Sequence, residues 1–280
     1  MIFSKRNQHI GEYLSQGAFA STLAVKSRNF TTLPASPLSH DFFSLHALSR
    51  NAIMLAPRKR WSGQWPMSEE SGRRIETQEL STPEENVGLR GSFSRFDLIA
   101  EFADLIRNDW LILKTPPAVR PQSEFLICVG CGGHMADKGA KIDAEDLVAV
   151  REDAVLRAAS RLTEGEIRRL VAKMEHTELH WLVDDPDDPM LRRLLDLGGV
   201  VHCRGGMEDF RLIHSFQKVA IGQSAFQWWA AFLGAAREIY FPPIDRGIWS
   251  HPEPADLITD PWWWGIDLRV PGDGRYIYEW

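Results

Sequence analysis

The sequence predicts an α/β fold whose carboxy-terminal part is a Rossmann-like unit. Two observations carry this. From residue 125 onward, short apolar runs alternate with stretches of helical periodicity, the pattern of parallel βαβ units with helices on both faces of a sheet. Just ahead of them, Thr115-Pro116-Pro117-Ala118 and Arg120-Pro121 stop any helix and stiffen the chain. The domain junction is placed there, giving an amino-terminal part, 1–118, and a carboxy-terminal part, 119–280.

The elements follow in order. Apolar residues at helical spacing (Ile10, Tyr13, Leu14, Leu23) predict a helix through Ala24. Otherwise residues 1–118 read as irregular. Residues 57–86, with Pro57, Pro66, Pro83 and many charges, read as a long exposed connection. Phe96 to Trp110 is helix-like, with Leu98, Ile99, Phe102, Leu105 and Ile106 on one face. Beyond the junction, strands are expected at 125–129, 180–183, 200–203, 218–221 and 238–241. Helices are expected at 144–161, 163–175, 188–197, 207–216 and 226–233. Ligands of such sheets sit beyond the carboxyl ends of the strands, so 130–137, 184–189, 204–209, 222–227 and 242–249 are the segments to inspect.

Composition narrows the function. Of the 280 residues, 44% are hydrophobic and 25% charged, which is globular rather than disordered. The net charge is -6 without a basic run, so a phosphate-gripping nucleic-acid surface is not expected. No apolar stretch approaches the roughly 18–20 residues that cross a bilayer. The opening residues through Lys5-Arg6-Asn7-Gln8 are charged where a signal peptide is apolar. Three cysteines are too few for a disulfide framework. The expectation is a cytoplasmic protein. No G-x-S-x-G elbow, Walker A loop or HExxH motif is present.

Several constellations have both a chemical and a structural meaning. Gly222-Gln223-Ser224-Ala225 follows a strand and opens a helix; it suits a bound phosphate and equally a plain helix cap over buried Trp228 and Trp229. Glu208 and Asp209 open the preceding helix, where carboxylates stabilise the first turn or accept hydrogen bonds from a nucleoside. Asp184-Asp185-Pro186-Asp187-Asp188-Pro189 could hold a hard cation, or form an acidic turn whose last Asp caps a helix. Asp184 lies closest to the strand end. Cys128-Val129-Gly130-Cys131-Gly132-Gly133-His134 invites a zinc or redox reading, with Cys203 and His202 as further ligands. Yet a structural zinc site needs four ligands, and Cys128 falls inside the expected strand. A tight glycine turn that lets a ligand approach the backbone is the preferred reading. Seven of the eleven tryptophans lie between Trp228 and Trp280, either packing the tail or stacking on sugars.

The segment from Met207-Glu208-Asp209-Phe210 through Lys218-Val219-Ala220-Ile221-Gly222-Gln223-Ser224-Ala225-Phe226-Gln227-Trp228-Trp229-Ala230-Ala231-Phe232-Leu233 resembles the carboxy-terminal signature of the α-1,2-fucosyltransferases, glycosyltransferase family 11. That signature reads D, several apolar residues, a strand, then S-x-S-x-F-S-W-W-A-A-x-L. Arg237-Glu238-Ile239-Tyr240-Phe241-Pro242 resembles the family's next strand. Weaker likenesses lie at Asp184-Asp185, at Leu89-Arg90-Gly91-Ser92-Phe93 with Ile106-Arg107, and at Asn7-Gln8.

The resemblance implies a GT-B fold of two Rossmann-like domains, 1–118 on the acceptor side and 119–280 on the nucleotide-sugar side. It implies inverting transfer of fucose from GDP-fucose to a glycan hydroxyl, with no metal and no cofactor beyond that donor substrate. The partners implied are a nucleotide sugar and a glycan acceptor, with peripheral membrane association where the acceptor is lipid-linked. Gln223, Ser224 and Ala225 would face the donor diphosphate, Glu208 or Asp209 the nucleoside, with Gly132, Asn7, Gln8 and Asp184 as further donor-side residues. No general base is marked; His134 is the candidate taken. The chain departs from the family after its first strand. The family's H-x-R-R-G-D stands here as Cys128-Val129-Gly130-Cys131-Gly132-Gly133, removing a bidentate phosphate contact. Either Lys138, Arg204 or Arg6 replaces that arginine, or the chain is an impaired relative that binds without turnover.

Overall fold

The structure is a computed structural model that describes residues 2–4, 10–26, 31–32, 41–42, 67–69, 87–90, 100–129, 162–222, 224–240 and 276–278. The chain divides into two compact units, Met1–Pro116 and Pro117–Trp280.

The described residues of the first unit include a sheet that the sequence reading did not expect. Strands β1 (Ile2–Ser4), β2 (Thr31–Thr32), β3 (Met67–Glu69) and β4 (Val87–Arg90) form a parallel sheet in the order β2-β1-β4-β3. Strands of two to four residues are too short to display an alternating apolar pattern, which is why the sequence reading missed them. β3 also falls inside the stretch read as an exposed connection. Helix α1 (Ile10–Lys26) joins β1 to β2 and buries Tyr13, Leu14, Ala18 and Phe19. Burial holds the Tyr13 phenol up at about 12.

The helical stretch α2 is composite: 3-10 at Ala100–Phe102, α at Ala103–Leu105 and π at Ile106–Trp110. The wider final turn closes through the amide of Leu111 donating to the carbonyl of Ile106 at 2.8 Å. Changing the period along one segment rotates its face. Ile106 is therefore buried, whereas Leu105 is 42% exposed and does not share that face. Leu98 and Ile99 lie outside the described residues.

Among the described residues, the second unit holds six parallel strands: β5 (Glu124–Cys128), β6 (Glu178–Leu182), β7 (Val200–His202), β8 (Lys218–Ala220), β9 (Glu238–Tyr240) and β10 (Tyr276–Tyr278). Their order is β10-β9-β8-β5-β6-β7. Counted within the unit this is the doubly wound order 3-2-1-4-5-6. Helices flank the sheet. On one face Phe125, Ile127, Leu179, Trp181 and Tyr240 pack with Ile167 and Leu170 of α3 (Glu164–Lys173) and Leu191 and Leu194 of α4 (Pro189–Leu194). Residues one step along each strand point to the other face. There the His180 ring meets Phe216, at the end of α5 (Gly206–Ser215), with centroids 4.9 Å apart. α5 packs on α6 (Ala225–Leu233) through Phe210 and Phe226, 5.6 Å between centroids. Trp228 and Trp229 are buried with Phe232.

Local sequence explains the helix starts. Thr163 and Glu166 form a capping box on α3, with Glu166 Oε2 accepting from the Thr163 amide at 2.7 Å. Asp188 caps α4, accepting from the Met190 amide at 2.7 Å, with Pro189 in the first turn. Arg168 ties α3 to the end of α4 by pairing with Glu164 and Asp196. The turn into β7 requires glycine. Gly199 has φ +103°, and a Cβ there would lie 2.6 Å from Trp181 Nε1 and 2.8 Å from the Leu179 carbonyl oxygen. Among the described residues, no helix is long and apolar enough to cross a membrane.

Candidate functional site

In a doubly wound sheet the ligand crevice opens where strand order reverses, outside the carboxyl ends of the two strands concerned. Here those strands are β5 and β8. Three described stretches border that edge: 184–188 after β6, 203–209 after β7, and 221–222 with 224 after β8. Of the residues expected at the site, Gln223, Gly132, His134, Asn7 and Gln8 lie outside the described residues, as do the substitute cations Lys138 and Arg6.

After β7 the chain turns through Gly205 and Gly206, both at positive φ. Asp209 is 4% exposed. Its carboxylate points back into the turn, accepting from the amides of Gly205 at 2.9 Å and Arg204 at 3.2 Å. Burial raises its pKa, the two amides oppose that rise, and nearby Asp184 adds to it. Asp209 therefore holds the turn in shape. Its neighbour Glu208, in the same first helical turn, is exposed to solvent. Between the two expected carboxylates, Glu208 is the one presented outward.

After β8, Ser224 caps α6. Its Oγ accepts from the Gln227 amide at 3.5 Å, and its carbonyl accepts from the Trp228 amide at 2.9 Å. The buried Gln227 side chain turns back and accepts from the Gly222 amide at 2.8 Å. Gln227 is a turn-shaping residue that the sequence reading did not single out. The signal was present: Ser224-Ala225-Phe226-Gln227 is an S-x-x-Q capping pattern. Ala225 opens the helix directly behind this turn.

The acidic run after β6 is a hydrogen-bonded turn. Asp185 Oδ1 accepts from the Asp187 amide at 2.8 Å, Asp187 pairs with Arg192 at 2.7 Å, and Asp188 caps α4. Asp184 is exposed, and its carbonyl accepts from Cys203 Sγ at 3.4 Å. The Cys128 thiol is buried at the end of β5 and held well above its usual pKa by burial, then by the fields of Asp209 and Asp184. A protonated thiol is a poor metal ligand or nucleophile. His202 is engaged elsewhere, and no cysteine belongs to a metal-capable group among the described residues. Cys131, the other half of the C-x-x-C pair, lies outside them.

A second polar cluster went unread in the sequence. His180 and His202 are both buried, with stacked rings 5.3 Å apart and Nδ1 of His180 3.0 Å from Nε2 of His202. His180 Nε2 faces Glu124 Oε2 at 3.3 Å and Glu178 Oε2 at 3.8 Å. Arg120 donates Nη1 to Glu124 Oε2 at 2.7 Å and lies over the Phe216 ring. Burial, then Arg120, depresses the pKa of His180. His202 is pushed down to about 4 by burial, then by His180, Arg204 and Arg120. Both imidazoles are neutral at pH 7. Period-two strands bring together residues that no local motif links: Glu124 starts β5, Glu178 and His180 share one face of β6, and His202 ends β7.

Comparison of the chain with protein-family models, with curated proteins and with solved structures finds no match in any of the three.

Proposed function

We propose that the chain is a glycosyltransferase of GT-B type that binds a nucleotide sugar, GDP-fucose first among candidates, at the carboxyl edge of the second unit's sheet. It moves the sugar with inversion onto a glycan hydroxyl. The observation that carries the reading is the Gly222–Ser224 turn. It follows a switch-point strand of a 3-2-1-4-5-6 sheet and opens a helix of at least two turns. First-turn amides and the helix dipole favour an anion at such a place, and the residues of this turn and helix carry the resemblance to the α-1,2-fucosyltransferases. Glu208 is the exposed carboxylate for the nucleoside, on a turn stiffened by Asp209. Ser224 and Gln227 shape the diphosphate turn. The departing GDP needs a cation or amide cradle as its charge develops, and Arg204, exposed in the turn after β7, is the described candidate for that cation.

A second reading rests on one specific feature. Where the family's arginine stands, this chain has Cys128-Val129-Gly130-Cys131, and Cys128 is a buried protonated thiol. That favours a relative that binds a nucleotide or glycan without turnover.

Calorimetric titration with GDP, GDP-fucose and UDP tests the first step. Binding of both guanine ligands but not UDP is expected, weakened at least tenfold in a folded Ser224→Ala, Glu208→Gln double variant. No binding of any of the three overturns the donor-site reading. Release of GDP from GDP-fucose in the presence of oligosaccharide acceptors separates the enzyme from the non-catalytic relative.

A further inference from the structure

We propose that Glu124, Glu178 and His180 form a binding site for one divalent transition-metal ion of the zinc class, at the amino-terminal edge of the second unit's sheet. The carboxyl edge, where the proposed donor would sit, is the opposite end of the same strands. The ligating atoms of the three side chains lie within 4.8 Å of one another. His180 Nε2 is 3.3 Å from Glu124 Oε2 and 3.8 Å from Glu178 Oε2. An ion bound at about 2.0–2.2 Å to each ligand separates them by about 3.3–3.6 Å in a tetrahedral array. Glu178 is 51% exposed on its side chain, so it can close the remaining gap, and it gives the site an entrance.

Three features of the frame point to a cation. First, β5 and β6 are in register, with Glu124 directly opposite Glu178. Two carboxylates in that relation repel unless something positive joins them. Arg120 answers only part of this, binding Glu124 Oε2. Second, His180 is 3% exposed, and its Nε2 is buried without a hydrogen-bond partner among the described residues while aimed at both carboxylates. Third, its other ring nitrogen is already committed to His202 at 3.0 Å. When His180 Nδ1–H donates to His202 Nε2, the Nε2 lone pair faces two anionic oxygens. A bound metal ion selects that tautomer; with the proton on Nε2 instead, Glu124 accepts it. A buried partner that orients a ligating imidazole in this way is the usual outer support of a histidine metal site. The neutral imidazole is the form a metal requires.

One imidazole and two carboxylates suit zinc or manganese with water in the open positions, and suit calcium poorly. The ion would clamp the starts of β5 and β6 together.

The test uses the full chain stripped with chelator and titrated with Zn²⁺ by calorimetry, followed by thermal unfolding with and without the ion. One equivalent is expected to bind, with a raised unfolding temperature. Glu178→Gln, an exposed change that should leave the fold intact, is expected to weaken binding at least tenfold and abolish the thermal shift. His202→Gln is expected to weaken it less. Co²⁺ in place of zinc should give visible d–d bands in the parent and lose them in Glu178→Gln. Absence of zinc binding at millimolar concentration overturns the proposal, as does equal binding by the parent and Glu178→Gln. GDP titration of Glu178→Gln is expected to match the parent, so failure of the metal site and failure of the donor site are separately visible.

Discussion

A carboxylate that is 4% exposed needs donors, and Asp209 finds two in the amides of Arg204 and Gly205. Asp209→Ala leaves both amides unsatisfied and should destabilise the chain by about 1–2 kcal/mol in urea unfolding. Asp209→Asn keeps one acceptor oxygen and buries no charge, so at pH 7 it should retain most of the stability. Equal losses in the two variants would show that the turn does not depend on the accepting oxygen. His202 makes a pH prediction. Its folded pKa of about 4 lies below its ordinary 6.5, so between those values the unfolded chain binds a proton that the folded chain refuses. Stability therefore falls as pH drops from about 6.5 to about 4 and levels off below, by on the order of 2–3 kcal/mol. His180 acts in the same direction. The raised carboxyl of Asp209 acts in the opposite one, because the folded state takes up its proton first. Denaturant midpoints across this range should show a shallower acid slope in His202→Gln than in the parent.

At the scale of elements, the strands and helices of the second unit were readable because each repeats a local pattern. Apolar runs of four or five residues, capping residues and glycine turns recur from 125 to 240, and the structure moves the ends of the described ones by one to three residues; the helix expected at 144–161 lies outside the described residues. Three things were not readable. The short strands of the first unit have no periodicity to show. α2 changes period midway, so one helical projection misplaces Leu105. β10 consists of Tyr276–Tyr278 and, among the described residues, joins the sheet through pairing with β9; a strand of three residues in an aromatic-rich tail looks like packing material. Gly199 is an element-scale constraint. Gly199→Ala meets Trp181 Nε1 and the Leu179 carbonyl, at a φ that L residues avoid. It should lower stability by about 2–4 kcal/mol, with Gly165→Ala, where a Cβ meets nothing within 4 Å, as the tolerated control.

At the scale of the whole molecule, the second unit has two chemically distinct edges. Glu208, Asp209 and Ser224 lie at the carboxyl edge, and Glu124, Glu178 and His180 at the amino edge. Neither set shares a hydrogen bond with the other among those described above. Independent sites on one rigid sheet should behave additively. Saturating Zn²⁺ is expected to leave GDP affinity within about twofold, and combining Glu178→Gln with Ser224→Ala should reproduce the two single losses side by side. A larger coupling would show that the sheet transmits strain between its edges.

The sequence by itself determined the α/β class, the proline-dense stretch beside which the chain divides, and the turn and capping residues of the second unit. All of these depend on neighbours within a few positions, where periodicity and turn chemistry act. Only the tertiary structure decided the strand order, the inward use of Asp209 against the outward presentation of Glu208, and the meeting of Glu124, Glu178, His180 and His202. Those depend on which strands pair and in what register. That choice is made by burial across the whole sheet, and residues 54 or 22 positions apart carry no local mark of it.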